Sequence, residues 1–319
     1  MHFLSARSWR WQFAVVLLGA ATAAGAEPFA YVPNEKSGTI SIIDTATDKV
    51  VGDIEVGVKP RGLAVSPDGK LIYVSDQRRS ALHIVDVAKR VVIGDVELGD
   101  SPEGVGISPD GKWVAAAVED SNSVALVDTG SRKVVENVRV SGKNPEHAVF
   151  SPDGKWIYVS AEEGSGVDVI DAATRKPVAL IPVGKRPRGI AFAPDGKIAY
   201  VACEEAAEVF AIDVAKRAPL GSVKIGKAAT GVVVHPDGKR LFVSDGKSGA
   251  VFVIDTATNK VTGSIEVGKR PWNMAITPDG RKLYVANGRS GSVSVIDVAG
   301  SRKLLDIPVG ELPWGVVIH

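Results

Sequence analysis

Residues 66–86 read SPDGKLIYVSDQRRSALHIVD and contain two short apolar runs, each followed by a polar residue or turn. The Pro-Asp-Gly near the start favours a tight hairpin turn, because proline fixes one backbone angle and glycine adopts conformations that other residues avoid. The aspartate that ends the second run recurs at Asp44, Asp86, Asp128, Asp171, Asp213, Asp255 and Asp297, at intervals of 42, 42, 43, 42, 42 and 42 residues. The sequence is therefore a tandem array of seven units.

Each unit carries four short β-type runs, such as residues 62–66, 71–75, 81–85 and 91–98. Four strands in a repeat of about 40 to 45 residues are typical of a propeller blade. The valine- and isoleucine-rich runs show little alternation, as expected where neighbouring blades cover both faces of a sheet. The pattern predicts an all-β, seven-bladed β-propeller of four-stranded antiparallel blades.

The two ends of the chain predict how the ring closes. Residues 27–319 span 293 positions, and seven units of 42 need 294. Residues 29–33 match the second strand of a unit, whereas the last residues, PWGVVIH at 313–319, match a first strand. We therefore expect the two ends to complete one shared blade, which removes the open edge of the sheet.

The first 26 residues have the parts of a secretory signal peptide. Arg7 and Arg10 precede an apolar run over residues 13–24, and the small-residue motif AGA follows at 24–26. We expect cleavage after residue 26 and a mature propeller over residues 27–319. No later apolar run is long enough for a membrane span, so we expect a periplasmic protein, and we expect it to be a monomer.

Charge and cysteine content exclude several classes of function. The chain has 38 basic and 37 acidic residues, so no strong overall field draws it to nucleic acid. Cys203 is the only cysteine, which excludes an internal disulfide, a haem attachment motif and a cysteine metal site. We expect Cys203 to be a buried apolar residue rather than a nucleophile.

Short motifs at the second strands resemble a known repeat. YVPN at residues 31–34, YVSD at 73–76 and YVAN at 284–287 are similar to the YVTN-type β-propeller repeat. The chain resembles most the periplasmic YVTN propellers associated with catabolism through pyrroloquinoline quinone, and more distantly the lactonase-type and cytochrome-nitrite-reductase-type propellers. The resemblance covers the whole predicted mature chain and carries more information on fold than on function.

The two faces of the predicted propeller differ in how regular they are. The Pro-Asp-Gly turns are nearly identical from unit to unit and indicate a scaffold. The opposite face carries the Val-Gly-x-x-Pro loops that lead into the innermost strands, and there the units differ. The two positions after the proline or its equivalent are Arg61-Gly62, Glu103-Gly104, Glu146-His147, Arg188-Gly189, Thr230-Gly231, Trp272-Asn273 and Trp314-Gly315. We predict a binding site at this channel mouth.

The candidate ligand-binding residues are Arg61, Glu103, Glu146, His147, Arg188, Trp272, Asn273 and Trp314. The two arginines make one arc basic, the two glutamates make another arc acidic, and the two tryptophans offer an aromatic platform. This combination suits an anionic molecule with an apolar ring, such as pyrroloquinoline quinone. Alternatively, the arginines and glutamates form ion pairs between adjacent blades.

Two further features at the same face have open interpretations. His147 replaces a glycine, and it is either a ligand or proton-transfer group or a packed histidine. The loops after the second strands are acidic, with Glu35, Asp76, Glu119, Asp120, Glu162, Glu163, Glu204, Glu205 and Asp245, and we expect these side chains to be solvated. His83 and the C-terminal His319 join no evident cluster.

The leading hypothesis is a non-enzymatic binding or interaction module. The resemblance implies a role beside a quinoprotein oxidation system, with a small molecule or a periplasmic protein as the partner. No hydrolase, metalloprotease, phosphate-binding or haem motif is present, so no catalytic residue is assigned.

Two alternatives belong to other classes. In a metal-dependent lactonase, a divalent cation at the mouth would polarise a ring ester, with Glu103, Glu146, His147 and Asn273 as ligands. In a DNA-binding propeller the contacts would be Lys185, Arg186, Arg188, Lys269 and Arg270. The acidic loops make nucleic acid the less favoured partner, because a phosphate-binding face should be basic across its width.

Overall fold

The structure is a computed structural model that describes residues 28–319, so the predicted signal peptide lies outside the described residues. In chain order the first strands are β1 (Phe29–Asn34), β2 (Thr39–Asp44), β3 (Lys49–Glu55), β4 (Pro60–Val65), β5 (Leu71–Asp76), β6 (Ala81–Asp86), β7 (Val91–Glu97), β8 (Pro102–Ile107), β9 (Trp113–Val118), β10 (Ser123–Asp128), β11 (Lys133–Arg139), β12 (Pro145–Phe150), β13 (Trp156–Ala161), β14 (Gly166–Asp171) and β15 (Lys176–Pro182). The remaining strands are β16 (Pro187–Phe192), β17 (Ile198–Cys203), β18 (Glu208–Asp213), β19 (Ala218–Lys224), β20 (Ala229–Val234), β21 (Arg240–Asp245), β22 (Ala250–Asp255), β23 (Lys260–Glu266), β24 (Pro271–Ile276), β25 (Lys282–Asn287), β26 (Ser292–Asp297), β27 (Arg302–Pro308) and β28 (Val317–Ile318).

The strands form seven four-stranded antiparallel sheets, one in each blade. Blade 1 has the order β28-β1-β2-β3, and blades 2 to 7 take the following strands in groups of four, from β4–β7 to β24–β27. The first strand of each sheet is the innermost one. The predicted fold class is confirmed, and the strands predicted for the second unit agree with β4–β7 to within two residues at each end. Within residues 28–319, no helix is long and apolar enough to cross a membrane.

The predicted shared blade is also confirmed. The C-terminal β28 pairs with the N-terminal β1, and Tyr31 stands opposite Val317. Phe29 and His319 exchange two backbone hydrogen bonds, of 2.9 and 3.0 Å. Both ends of the described chain are thus tied into one sheet, which closes the ring without a disulfide.

The hydrophobic core is divided into seven clusters, each between two adjacent blades of the described chain. Between blades 1 and 2, Ile40 packs with Leu63 and Val74. Between blades 7 and 1, Tyr284 packs in one cluster with Val32, so the apolar packing continues across the junction of the chain ends. Burying one such side chain contributes about 1.5–3 kcal/mol, so each blade depends on both of its neighbours.

Cys203 lies in the cluster between blades 4 and 5 and is fully buried, as expected from the sequence. Burial raises the pKa of its thiol to about 12. The thiolate is the nucleophilic form, so this cysteine is unreactive at neutral pH.

The Pro-Asp-Gly turns have one repeated geometry. In the turn of blade 2 the Ser66 hydroxyl donates to the Asp68 carboxylate at 2.7 Å, and the Lys70 N–H donates to the same carboxylate at 3.1 Å. Gly69 has a φ of 71°, a left-handed conformation that favours glycine. Gly111 and Gly154 have the same φ of 71°, so the turn geometry is repeated from blade to blade.

A proline at one of two adjacent positions of β28 tests the ring closure. Hydrogen-bonded pairs alternate in an antiparallel ladder, so the exchange between Phe29 and His319 places the Val317 N–H toward β1 and the Ile318 N–H away from it. Val317→Pro should therefore lower the free energy of unfolding by about 1–3 kcal/mol more than Ile318→Pro. Urea titration of both variants measures the difference. Equal losses would contradict closure through this ladder.

Candidate functional site at the channel mouth

The channel mouth is the ring of loops and turns where the innermost strands begin. A Cβ atom added to Gly104 would lie 2.5 Å from the carbonyl oxygen of Glu146, and one added to Gly231 would lie 2.5 Å from that of Trp272. Adjacent innermost strands are therefore too close for a side chain at this position, which explains why five of the seven residues here are glycine. The exceptions, His147 and Asn273, both line the channel.

A cavity of about 210 Å³ occupies the channel beneath the mouth. All seven blades contribute to its lining, which consists of Pro33, Gly62, Leu63, Val105, His147, Gly189, Ile190, Val232, Asn273, Met274, Trp314, Gly315, Val316 and Val317. Most of the side chains in this lining are apolar. The side chains with hydrogen-bonding atoms are the imidazole, the amide and the indole of His147, Asn273 and Trp314.

His147 and Trp314 meet across the channel. Their ring centroids are 5.2 Å apart and their planes are inclined by 25°. His147 belongs to blade 4 and Trp314 to blade 1, and at least two blades separate these on either side, so the stacked pair spans the channel. This pair takes the place of the expected platform of two tryptophans. Trp272 instead lies beside Arg270, whose guanidinium carbon is 5.8 Å from the centre of the indole ring.

The imidazole of His147 is neutral and has one ring nitrogen without a partner. Burial lowers its pKa to about 4, and this effect outweighs the opposing attraction of Glu146. Its Nδ1 is buried and has no hydrogen-bond partner among residues 28–319, and the same holds for Nε1 of Trp272. A buried polar atom without a partner is a candidate contact for a ligand.

Arg61 forms ion pairs with carboxylates on both sides. Its Nη1 lies 2.6 Å from Glu103 of the next blade, and its Nε lies 3.3 Å from Glu35 of the preceding blade. The pair with Glu103 is an ion pair between adjacent blades, which was the alternative interpretation of these residues in the sequence. Because Glu103 is buried, this pair joins blades 2 and 3 away from solvent.

Arg188 is the centre of a second ion-pair network. Its guanidinium contacts Glu146 at 2.6 Å, Glu162 at 2.7 Å and Glu204 at 2.9 Å. Glu204 also accepts from Arg270, at 2.9 Å, so the network connects loops of blades 4, 5 and 7. The expectation of separate basic and acidic arcs is wrong, because each predicted arginine is bonded to a predicted glutamate and to acidic loop residues.

The carboxylates of this network have shifted pKa values. Burial and the nearby Glu146 raise the pKa of Glu103 above its usual range, against the opposing effect of Arg61. Glu146 is also buried, but Arg188 and other positive neighbours hold its pKa below the usual range. Removing one member of a buried pair leaves an uncompensated charge and typically costs about 3–5 kcal/mol, so these groups hold the mouth together.

Four of the acidic loop residues are buried, although we expected solvated side chains. Glu35, Asp76, Glu204 and Asp245 are each at most 8% exposed. The loops fold over the mouth, and their carboxylates accept from arginines or from backbone N–H groups, as Asp245 does from Lys247 at 2.9 Å. The partners Glu35, Glu162 and Glu204 were not among our candidates. The sequence signal for them was the set of acidic loops after the second strands, which we interpreted as solvated.

His83 also departs from expectation, because it does belong to a cluster. It is buried in blade 2, with Nδ1 2.5 Å from Asp95 and Nε2 3.3 Å from Asp76. Burial opposes the charged imidazole, but the two aspartates raise the pKa of His83 above its usual value. Serines occupy this position in blades 1 and 7, where Ser41 and Ser294 each donate to an aspartate at 2.5 Å. The cluster is thus a variant of a repeated scaffold contact.

The residues proposed as metal ligands do not form a metal site. Glu103 and Glu146 are already bonded to arginines. Within the described part of the chain, no group of three or more histidine, cysteine, aspartate or glutamate side chains is arranged to hold a metal ion. The donor set therefore does not fit a divalent cation.

The ring of seven four-stranded blades around a closed channel defines this protein as a seven-bladed β-propeller. The sequence profile of the family described as Lactonase, 7-bladed beta-propeller matches residues 21–135 and 173–311, and the chain belongs to this family. No curated protein matches the chain significantly.

Three solved structures are similar to this chain over most of its length. Hydrazine synthase of Kuenenia stuttgartiensis is 25% identical, with a TM-score of 0.75 over 84% of this chain and 92% of that chain. A putative 6-phosphogluconolactonase from Bacteroides uniformis ATCC 8492 is 19% identical, with a TM-score of 0.78 over 92% and 100%. A functionally unknown protein from Desulfotomaculum acetoxidans DSM 771 is 18% identical, with a TM-score of 0.78 over 91% and 98%. The last two support the fold alone.

Replacing His147 by glycine should change how stability depends on pH. The pKa of His147 is about 4 in the folded chain, against about 6.5 for an unfolded histidine, so between these values the unfolded chain binds a proton that the folded chain does not. The free energy of unfolding should therefore decrease through His147 as the pH falls from about 6.5 to about 4, by an amount on the order of 2–3 kcal/mol. Urea titrations at several pH values measure it. Asn273→Gly is the matched control and should keep the slope, whereas an unchanged slope in His147→Gly would contradict the assignment.

Replacing His83 by serine, the residue at this position in blades 1 and 7, should change the pH dependence of stability in the opposite direction to His147→Gly. The raised pKa of His83 means that its charged form stabilises the fold. This contribution is fully present below about pH 6.5 and is lost as the pH rises through the folded-state pKa. The stability difference between wild type and His83→Ser should therefore shrink toward alkaline pH. Thermal melting across pH tests this, with Ser294→Ala as a non-titrating control, and a constant difference would count against it.

Proposed function

We propose that this propeller is a binding module that holds a compact, largely apolar small molecule in the channel cavity, against His147 and Trp314. The observation that carries the proposal is the unpartnered Nδ1 of His147, which is buried beside an apolar cavity. A ligand with one hydrogen-bonding group would satisfy this nitrogen once the imidazole turns it toward the cavity, and the apolar part of the ligand would fill the cavity.

The size and charge of the site define the ligand class. Ligand pockets commonly have volumes of about 300–1,000 Å³, so a cavity of about 210 Å³ suits a compact molecule. The nearby arginines are bonded to glutamates, so a charged ligand would have to compete with existing ion pairs. A neutral or weakly polar molecule that packs on the Trp314 ring fits these constraints best.

The cellular setting is part of the proposal and rests on the sequence. The signal-like segment before residue 27 supports export to the periplasm, and the YVTN-type motifs support a role beside pyrroloquinoline-quinone-dependent oxidation. A carboxylated quinone would contact the mouth from outside, because no arginine of residues 28–319 lines the channel cavity. A periplasmic protein is the alternative partner, and we propose that the chain acts as a monomer. We do not propose DNA binding, because Arg186, Arg188 and Arg270 are all bonded to glutamates.

Hydrolysis of a small lactone in the same cavity is the second candidate function. Membership of the lactonase family favours it, and a compact lactone suits the cavity. The neutral His147 would accept a proton from the water that attacks the carbonyl carbon, and the ring C–O bond would break with that proton passing to the leaving oxygen. A base with a pKa of about 4 is weak, so we rank binding above catalysis.

Titration with one panel of ligands distinguishes small-molecule binding from lactone hydrolysis. Calorimetric titration with small lactones, small aromatic alcohols and pyrroloquinoline quinone should show saturable binding of a neutral compound and no turnover. A ligand at about 100 times its Kd should raise the free energy of unfolding by about 2.7 kcal/mol. His147→Gly and Trp314→Leu should abolish the effect, whereas Trp156→Leu, in a groove on the opposite face, should not. Binding that survives both channel variants would contradict the proposal, and metal-independent lactone turnover would favour the hydrolase.

A further inference from the structure

A surface groove of about 620 Å³ lies between blades 6 and 7, outside the channel cavity. Its walls are the turn after β21, the loop from β23 into β24, and the turn after β25. Residues 246–249, 266–270 and Arg289 line it, and we call it the basic groove. It shares no lining residue with the channel cavity.

Cations outnumber carboxylates in the basic groove. Lys247, Lys269, Arg270 and Arg289 line it, against the single carboxylate of Glu266. Arg270 is bonded to Glu204, at 2.9 Å. The other three cations are exposed, and none of them forms an ion pair with a carboxylate in residues 28–319. The groove therefore carries three uncompensated positive charges beside one exposed glutamate.

The equivalent surface between blades 4 and 5 has the opposite charge balance. The loop sequence Val-Gly-Lys-Arg-Pro is the same at residues 183–187 and 267–271. In the earlier copy the neighbouring turns carry Glu163 and Glu205, at the positions of Lys247 and Arg289. Its arginine, Arg186, contacts Glu162 at 2.7 Å. The same basic loop sequence thus lies beside acidic turns between blades 4 and 5, and beside further cations in the basic groove between blades 6 and 7.

The loops of the basic groove are held by hydrogen bonds, so the cations stand on an ordered backbone. The Lys269 N–H donates to the Ser290 hydroxyl at 2.8 Å, and the Gly268 N–H donates to the Asn287 side chain at 3.0 Å. Like charges held near one another repel, and a bound anion removes that repulsion. We propose that the basic groove binds a small polyvalent oxyanion, such as a phosphate or carboxylate group of a small molecule.

Calorimetric titration of the protein with inorganic pyrophosphate tests this assignment. We expect saturable binding that weakens when the ionic strength rises from about 0.01 M to about 0.1 M, because salt screens exposed charges. Lys247→Ala and Arg289→Ala should each weaken binding roughly fivefold or more, and Glu266→Gln should strengthen it. Citrate in place of pyrophosphate separates the sources: binding of both anions indicates recognition of charge, and binding of pyrophosphate alone indicates recognition of phosphate.

Lys185→Ala is the matched control. Lys185 has the place of Lys269 in the same loop sequence but lies beside acidic turns between blades 4 and 5. This variant should therefore bind pyrophosphate like wild type. All four changed side chains are exposed, so the melting temperature should stay near that of wild type and show that each variant is folded. The absence of saturable binding, or an equal loss in Lys185→Ala and Lys247→Ala, would overturn the proposal.

Discussion

The close approach of the innermost strands around the channel is the constraint on which this structure depends. Glycine at the start of most of these strands lets the backbone of one blade lie against that of the next, as Gly104 does against Glu146. This spacing brings the blade faces into contact, so the apolar clusters form between blades rather than within them. It also leaves a narrow channel in which a single side chain from each of two opposite blades is enough to span the opening.

His147 and Trp314 span the channel because the residues at these two positions of the repeat differ among the seven units. The charged residues at the mouth do not reach into the channel as free groups. Arg61 forms an ion pair with Glu103, and Arg188 forms one with Glu146. The rim of the mouth thus carries paired charges, whereas the cavity is lined mainly by apolar side chains and lies beside the unpartnered Nδ1 of His147. Unpaired positive charge lies outside the channel, and the basic groove is one place where it is concentrated.

Nearly all of the fold and only part of the site could be predicted from the sequence. The seven-fold spacing determines the number of blades, and the different strand matches of the two ends determine the shared blade. The side chains that break the repeat are visible too, as with His147. Contacts between units are not visible, because the sequence states which residues a loop carries but not how far it folds over the mouth. The burial of Glu204 and the stacking of His147 on Trp314 depend on that geometry. The contact of His83 with Asp95 lies within one blade, where the two residues face each other on β6 and β7.

The central claim is that the cavity beneath His147 and Trp314 is a binding site, and a crystal structure of the protein soaked with a neutral ligand tests it most directly. The account predicts electron density for the ligand in the channel, against the Trp314 ring and within hydrogen-bonding distance of His147 Nδ1. Density for ordered water alone in the cavity, with the ligand bound elsewhere on the surface, would contradict it.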